Sequence, residues 1–309
     1  MQKDKNLDNK HLAIYQERLA ALAFSTFFKI GPQKIKVLLN YFKNLHEAYW
    51  ANFYNLKFAG LNDELINEFL IFRKNFVVQS SIKKLKEEKI NFLCFKDHLY
   101  PKILKNIFDP PIVLYFKGNI NLLTKKCLAV VGSREHSDYG ELVINSILTS
   151  ELTKNLVIVS GLALGIDTLA HQKTLENQGE TIAVLGSSLE KSNIYPLQNK
   201  SLAENIIKNN GLLISEFPLN TKPWRRNFPL RNRIISGLSQ AVLIIEAKKR
   251  SGSLITAYHA LEQGREIMAV PGSVLSNFSV GTNYLISAGA KLIQSDKDIL
   301  SFFNDSNFT

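Results

Sequence analysis

Five cations and two aromatic residues cluster within 12 residues in the second half of the chain. They are Lys222, Arg225, Arg226, Arg231 and Arg233, with Trp224 and Phe228 between them and no Asp or Glu. Proteins that bind single-stranded nucleic acids combine cations that follow the phosphates with aromatic faces on which unstacked bases stack. The segment therefore predicts contacts to a single strand. The alternative is a structural role for Arg231 and Arg233, with Phe228 in the core.

Glycine and serine recur directly after the apolar runs of the same half of the chain. The residues we select from these positions are Gly132, Ser133, Arg134, Gly161, Lys248, Ser251, Gly252 and Ser253. Glycine lets the backbone approach a ligand closely, and serine supplies a hydroxyl group. A helix that follows presents unpaired N–H groups and the positive end of its dipole. Five of seven runs end in this way, which predicts a cradle for phosphate, although tight turns also need glycine.

The sequence lacks the motifs of the common nucleotide cofactors and of zinc. No G-x-x-x-x-G-K-[ST] occurs, which argues against a P-loop ATPase. The turn GSREHSDYG departs from G-x-G-x-x-G, and no acidic residue ends the second apolar run, so the two main features of an NAD site are missing. Two cysteines without C-x-x-C and six dispersed histidines do not indicate zinc. We expect no cofactor and no metal.

One Asp–His pair raises the question of catalysis. Asp167 and His171 are four residues apart and share a helix face. An Asp in a first helical turn more often complements the helix dipole, so we expect no catalytic residues and no enzyme. A nucleotide-processing hydrolase that uses Arg134, Asp167 or Glu246 is the alternative. A structural scaffold whose helical part recruits a partner is a third hypothesis.

Seven short apolar runs, each followed by a helix-like stretch, organise residues 127–309. The runs are CLAVV (127–131), LVIVS (156–160), TIAVL (181–185), LLIS (212–215), AVLII (241–245), EIMAV (266–270) and AKLI (290–293). Continuous apolar runs that alternate with helices are typical of a parallel sheet covered on both faces. We therefore predict an α/β fold with a doubly wound, mostly parallel, Rossmann-like sheet. Ligands of such sheets bind at the carboxyl ends of the strands, where the glycines and serines lie.

The first 126 residues have a different pattern. Apolar residues recur at helical spacing from residue 11 to 75, which predicts a small all-helical domain over 1–78. Residues 79–126 contain a helix, the strand INFLCF and a proline-containing stretch, and predict a joining segment packed on the domain of residues 127–309. The extended Rossmann-like region then covers about 80–303.

Charge and composition limit the partners and the location. The net charge is +11, and residues 1–126 alone contain 21 Lys and Arg against 11 Asp and Glu. Such a surplus favours polyanionic partners, and a lysine-rich proteome is the alternative explanation. Cys94 and Cys127 lie in apolar runs, which predicts that they are core residues of a protein in a reducing compartment. Neither a signal peptide nor an apolar run of about 18 residues is present, so we expect a cytoplasmic protein without membrane contact.

The motifs together resemble the DprA/Smf DNA-processing family. They are LAVVGSREHSDYGE, SGLALGIDTLAHQ, Tyr195-Pro196, SEFPLNTKP, FPLRNRIISGLS and EAKKRSGSLITAYHALEQGREIMAVPG, in the family's order over about residues 80–300. The helices around KIGP are similar to the family's SAM-like domain. The resemblance implies a homodimer that binds and protects single-stranded DNA and loads the RecA recombinase during natural transformation.

The resemblance also assigns individual residues. It places the family's GSR turn on Gly132, Ser133 and Arg134, and its basic and aromatic patch on Lys222, Arg226 and Phe228. The FPxRNR motif falls on residues 228–233. Many members carry a C-terminal winged helix, and we expect none here, because only DKDILSFFNDSNFT follows the last run.

Overall fold

A mostly parallel sheet of nine strands forms the centre of the structure, a computed structural model that describes residues 2–305, with side chains from residue 11. The strands are β1 (Asn91–Cys94), β2 (Val113–Gly118), β3 (Cys127–Val131), β4 (Val157–Ser160), β5 (Thr181–Val184), β6 (Leu212–Ser215), β7 (Ala241–Ile244), β8 (Glu266–Ala269) and β9 (Lys291–Leu292). Their spatial order is β1-β2-β6-β5-β4-β3-β7-β8-β9. All seven predicted apolar runs form strands, which confirms the predicted fold class.

The chain leaves β3 in one direction and later returns to the other side of it. Strands β4, β5 and β6 are added in parallel on one side of β3, and β7, β8 and β9 on the other. The order of the strands therefore reverses between β3 and β7. Loops diverge at such a switch point and leave a crevice beyond the carboxyl ends of the strands.

Helices cover both faces of the parallel part, as the alternating pattern predicts. They are α8 (Asp138–Ile147), α9 (Ser150–Asn155), α10 (Ile166–Glu176), α11 (Lys200–Lys208), α12 (Asn227–Gly237), α13 (Gly252–Glu262), α14 (Val280–Ser287) and α15 (Asp296–Asp305). Apolar clusters fill the space between helices and sheet on both faces, and the cluster beneath α11 is continuous with the core of the N-terminal helices. Both faces of the central strands are therefore buried, which explains their unbroken apolar sequences.

The segment that joins the two halves contributes two strands to the sheet. Strand β1 pairs antiparallel with β2, and β2 pairs antiparallel with β6, with Leu93 opposite Leu114 and Tyr115 opposite Ser215. The INFLCF strand was expected, but β2 was not, because Pro110-Pro111 directly precede it. A one-turn helix, α7 (Lys102–Lys105), lies between the two strands. This segment thus packs on the following sheet by hydrogen bonding to its edge.

Six helices form the N-terminal part. They are α1 (Gln2–Thr26), α2 (Pro32–Tyr41), α3 (Leu45–Trp50), α4 (Phe53–Phe58), α5 (Asp63–Asn75) and α6 (Val78–Glu87). The stretch 44–58 forms two helices, because the Asn52 side chain accepts a hydrogen bond from Asn55 N–H and starts a new helix. Phe24 stacks on Phe69 at 5.1 Å in the core of this part.

The N-terminal helices are attached to the antiparallel edge of the sheet. Ser25 Oγ lies 2.7 Å from Tyr115 Oη, and Arg18 forms an ion pair with Asp97 in the turn after β1. Cys94 is buried at this junction and Cys127 is buried in β3, and burial raises the pKa of both thiols to about 12. Both residues are therefore protonated core residues. Between residues 2 and 305, no helix is long and apolar enough to cross a bilayer.

Candidate nucleic-acid interface

A cleft of about 370 Å³ opens beyond the carboxyl ends of β3 and β7, at the switch point of the sheet. Its walls are Val131, Gly132, Ser133, Arg134, Glu135, Ala163, Asp167, Phe228, Arg231, Asn232, Ile235, Lys248, Arg250, Ser251, Gly252, Ser253 and Thr256. Nine of the selected residues lie here: Gly132, Ser133, Arg134, Phe228, Arg231, Lys248, Ser251, Gly252 and Ser253. The turns after three neighbouring strands and the start of α12 thus meet in one place.

The turn after β3 packs directly against the start of α10. Ile166 N–H donates to Ser133 O at 3.1 Å, and a Cβ on Gly132 would lie 2.6 Å from the Ile166 side chain. Gly165 has φ +75°, and a Cβ there would lie 2.3 Å from Ser133 O. Only glycine permits this approach. The packing fixes the backbone that carries Arg134, whose side chain is exposed at the mouth of the cleft.

Arg134 lies over the ring of Phe228. Its guanidinium carbon is 5.4 Å from the ring centroid, and the Tyr195 ring is 5.7 Å from the same ring. Phe228 is half-buried, and a Cβ on Gly186 would lie 2.8 Å from it, so Gly186 makes room for the ring. Phe228 therefore forms a wall of the cleft instead of filling the core. A cation and an aromatic ring are presented side by side.

The opposite wall is the N-terminus of α13. Ser251 caps this helix by accepting a hydrogen bond from Ser253 N–H at 3.3 Å, and the two hydroxyl oxygens are 2.7 Å apart. Lys248 pairs with Glu135 at 2.6 Å and lies 4.7 Å from the centroid of the Phe278 ring. The first turn of α13 adds the positive end of the helix dipole. This wall has the charge and donors that bind an anion.

Arg231 forms the floor of the cleft and is buried. Its Nη1 donates to Gly161 O at 2.5 Å and also to Val184 O. Burial lowers the pKa of the guanidinium to about 10, partly offset by the attraction of Asp167. Arg231 thus holds the ends of β4 and β5 together and remains charged at neutral pH. Gly161 contributes its carbonyl to this arrangement, and a Cβ there would collide with the guanidinium.

Arg233 lies away from the cleft. Its Nε donates to Asp109 at 2.8 Å, and its Nη atoms donate to Glu216 at 3.0 and 2.6 Å. The sequence grouped Arg233 with Arg231, but residues two apart on a helix point about 200° apart. The structure therefore brings Arg231 to the cleft and Arg233 into a buried ion-pair cluster on the other side of α12.

Three selected cations and Trp224 lie in the loop that leads to Phe228. The side chains of Lys222, Trp224, Arg225 and Arg226 are exposed. Asn227 is buried and fixes the end of this loop, because its Nδ2 donates to Gly186 O at 3.0 Å and to Lys222 O at 3.3 Å. The exposed cations precede the cleft along the chain without being part of its walls.

The carboxylates of the hydrolase alternative are bound within the fold. Asp167 accepts from the N–H groups of Gly161 and Ala163 at 3.1 and 3.4 Å, and Glu246 is buried and accepts from Ser137. Burial raises the pKa of Asp167, and Arg231 counteracts this rise. An ion pair between Arg134 and Glu246 would have made Arg134 structural, but Glu246 binds the start of α8 instead. Both carboxylates hold turns in place.

His171 has the environment of a core residue. It is buried, and its Nδ1 lies 2.7 Å from Thr181 Oγ1. Burial, and to a lesser degree the charge of Arg231, lower its pKa to about 3. An imidazole with this pKa is neutral at physiological pH and is a poor proton acceptor. The Asp167–His171 pair therefore has the properties of a structural pair.

Several residues of the cleft were not selected from the sequence. Arg250 and Asn232 line it within segments already singled out, and Thr256 lies one helical turn after Ser253. Helical spacing from Ser253 would have identified Thr256. No sequence pattern indicates that Glu135 lines the cleft, because its position depends on the ion pair with Lys248.

The fold and the cleft define a Rossmann-like α/β protein with a cleft lined by cations at its switch point. The chain belongs to the family of DNA recombination-mediator protein A, whose model matches residues 91–304. It is therefore a DNA-processing protein of the DprA family. The predicted resemblance is confirmed.

Individual relatives agree with this assignment. The chain is 44% identical to DNA processing protein DprA of Bacillus subtilis (strain 168) over 72% of this chain and 74% of that protein. The X-ray structure of DprA from Streptococcus pneumoniae matches with a TM-score of 0.77 and 37% identity, covering 93% of this chain and 96% of that one. DprA from Helicobacter pylori, described for its unique single-stranded DNA binding mode, matches with a TM-score of 0.62 and 30% identity, covering 70% and 96%.

The depressed pKa of His171 predicts how stability depends on pH. In the unfolded chain His171 binds a proton near pH 6.5, whereas in the folded protein it does so only near pH 3. This residue therefore costs about 1.4 kcal/mol of unfolding free energy per pH unit as the pH falls through that window. In denaturant titrations between these pH values, the His171→Leu variant should lose stability less steeply than the parent protein. Equal slopes would show that His171 is protonated in the folded protein.

Proposed function

We propose that this chain binds single-stranded DNA in the cleft at the switch point and acts there as a recombination mediator without catalysis. The observation that carries the proposal is the pairing of Arg134 with Phe228, 5.4 Å apart, opposite the N-terminus of α13. A phosphate binds the cation and a neighbouring base stacks on the ring, so a single strand needs both kinds of group at the same place.

The phosphate part of the site has three sources of positive potential. Arg134 and Arg250 are exposed cations, buried Arg231 lies below them, and the first turn of α13 presents its N–H groups. A guanidinium forms paired hydrogen bonds to phosphate oxygens and is suited to this role. In this proposal the phosphate lies between Arg134 and Ser253, with Lys248 nearby.

The base part of the site extends from Phe228 into the preceding loop. Phe228 retains an accessible face, and the Trp224 ring is 56% exposed. Lys222, Arg225 and Arg226 accompany these rings. Stacking accepts any base, so the proposed binding is independent of sequence.

The relatives support the wider role. The family is named for recombination mediation, relatives are named as DNA processing proteins, and the Helicobacter pylori protein binds single-stranded DNA. The proposal accordingly includes protection of incoming DNA, loading of RecA during natural transformation, a homodimer and a cytoplasmic location. It includes no enzymatic step, because Asp167 and Glu246 are occupied within the fold.

Competition between DNA forms tests the proposal. An oligo-dT of about 30 nucleotides should displace a labelled single strand far better than a hairpin of the same length, because paired bases cannot stack on Phe228 or Trp224. Fluorescence anisotropy at several salt concentrations measures both competitors. Equal displacement by the hairpin would contradict the proposed site.

Two arginine variants separate binding from folding. Arg134→Ala should weaken oligo-dT binding about tenfold to hundredfold and reduce the slope of log K against log salt by about 0.7, with an unchanged melting temperature. Arg233→Ala leaves Asp109 and Glu216 without their cation, so it should destabilise the fold by about 3–5 kcal/mol.

Binding curves and thermal melts of both variants provide the readout. The proposal for Arg134 fails if its replacement lowers the melting temperature while the salt dependence of binding stays the same. Lys222→Ala should have a smaller effect of the same kind as Arg134→Ala, because its loop can adjust.

A further inference from the structure

A second groove lies between the N-terminal helices and the segment that joins them to the sheet. It measures about 340 Å³ and is formed by α2 on one side and by residues around α7 on the other. We call it the lysine–aromatic groove and define it by Lys36, Leu39, Phe95, Lys105, Phe108 and Ile112. None of these residues belongs to the cleft at the switch point.

The groove pairs each of two lysines with an aromatic ring. The Lys36 ammonium is 5.9 Å from the centroid of Phe108, and the Lys105 ammonium is 5.2 Å from that of Phe95. Phe108 is 74% exposed, and Gln33 Nε2 of α2 donates to its backbone oxygen at 3.0 Å. A ring with a face open to solvent can stack with a flat group.

The lysines of the groove are available to an anion. In the part of the chain whose side chains are described, neither Lys36 nor Lys105 has a carboxylate within ion-pairing distance. The residues that line the groove include no Asp or Glu. Residues 1–126, which supply the whole groove, have ten more basic than acidic residues. Two lysines of this basic surplus therefore lie beside aromatic rings in the groove.

A further cleft connects the groove with the helix that carries Phe228. Pro32 and Ile112 line both the groove and this cleft, and Leu230 of α12 lies on its far side. Leu230 is 52% exposed and follows Phe228 by two residues. The acids of this cleft, Asp109 and Glu216, both bind Arg233. This cleft thus links Leu230 of α12 with the groove, and the guanidinium of Arg233 engages both of its carboxylates.

We propose that the lysine–aromatic groove is a second contact for the same single-stranded DNA, with phosphates at Lys36 and Lys105 and a base on Phe108. The proposal rests on the proposed function of the switch-point cleft. Cations beside sequence-tolerant stacking rings are the features of surfaces that track a single strand. The N-terminal helical part then lengthens the DNA-binding site instead of serving only as a scaffold.

Oligonucleotides of two lengths distinguish this inference from the proposed function. The Lys36→Gln/Lys105→Gln variant should bind an oligo-dT of about 30 nucleotides on the order of tenfold more weakly, with a salt slope smaller by about 1.4. It should bind a dT oligomer of about six nucleotides as the parent protein does, since such a strand occupies only the cleft. Arg134→Ala should weaken the binding of both lengths.

Phe108→Ala tests the stacking contact without removing a core residue. It should weaken binding of the long strand between about fivefold and about a hundredfold, with the salt slope unchanged. Lys74→Gln/Lys83→Gln is the matched control, because it removes the same charge from exposed positions of the helical part outside the groove. This control should leave binding of the long strand close to that of the parent.

Three results would overturn the inference. One is a groove variant that binds the long strand as tightly as the parent while Arg134→Ala does not. Another is an equal loss of binding in the control variant, which would indicate a general effect of charge. The third uses poly-glutamate as a probe for acidic proteins. If the groove variant loses poly-glutamate binding but keeps oligo-dT binding, the groove binds an acidic protein instead of DNA.

Discussion

The buried guanidinium of Arg231 holds the site together. It joins α12 to the carbonyl groups of Gly161 and Val184, which lie at the ends of two neighbouring strands. Burying an arginine is costly unless its N–H groups find acceptors and its charge finds compensation. Here two carbonyls accept and Asp167 attracts the charge from nearby. The position of Phe228, one helical turn earlier, follows from this attachment.

A second buried arginine fixes the same helix from the opposite side. Arg233 binds Glu216 after β6 and Asp109 before β2, so α12 is attached to the parallel part and to the antiparallel edge of the sheet at once. The first turn of α12, which carries Phe228 and Leu230, is thereby held between two surfaces. A rigid support is what a stacking ring needs, because a mobile ring loses more side-chain entropy on binding. The two arginines of this motif thus attach α12 to the sheet through different partners.

The sequence predicted the sheet and the location of the cleft well. Runs such as CLAVV are unbroken because both faces of their strands are buried, and the carboxyl ends of adjacent parallel strands necessarily meet. Strand β2 was missed because its pairing with β6 depends on residues about 100 positions away and its sequence follows two prolines. Proximity in sequence also misled the grouping of Arg231 with Arg233, since only the phase of the helix separates them. The roles of Glu246 and Glu135 depend on partners more than 100 residues away.

In the proposed complex, a phosphate of single-stranded DNA lies in the cleft at the switch point, between Arg134 and the N-terminus of α13. A crystal structure of the protein with oligo-dT tests it most directly. We expect a phosphate within hydrogen-bond distance of the Arg134 guanidinium and of the N–H groups of the first turn of α13, with a base against the Phe228 ring. An ordered strand that contacts other surfaces while this cleft stays empty would contradict it.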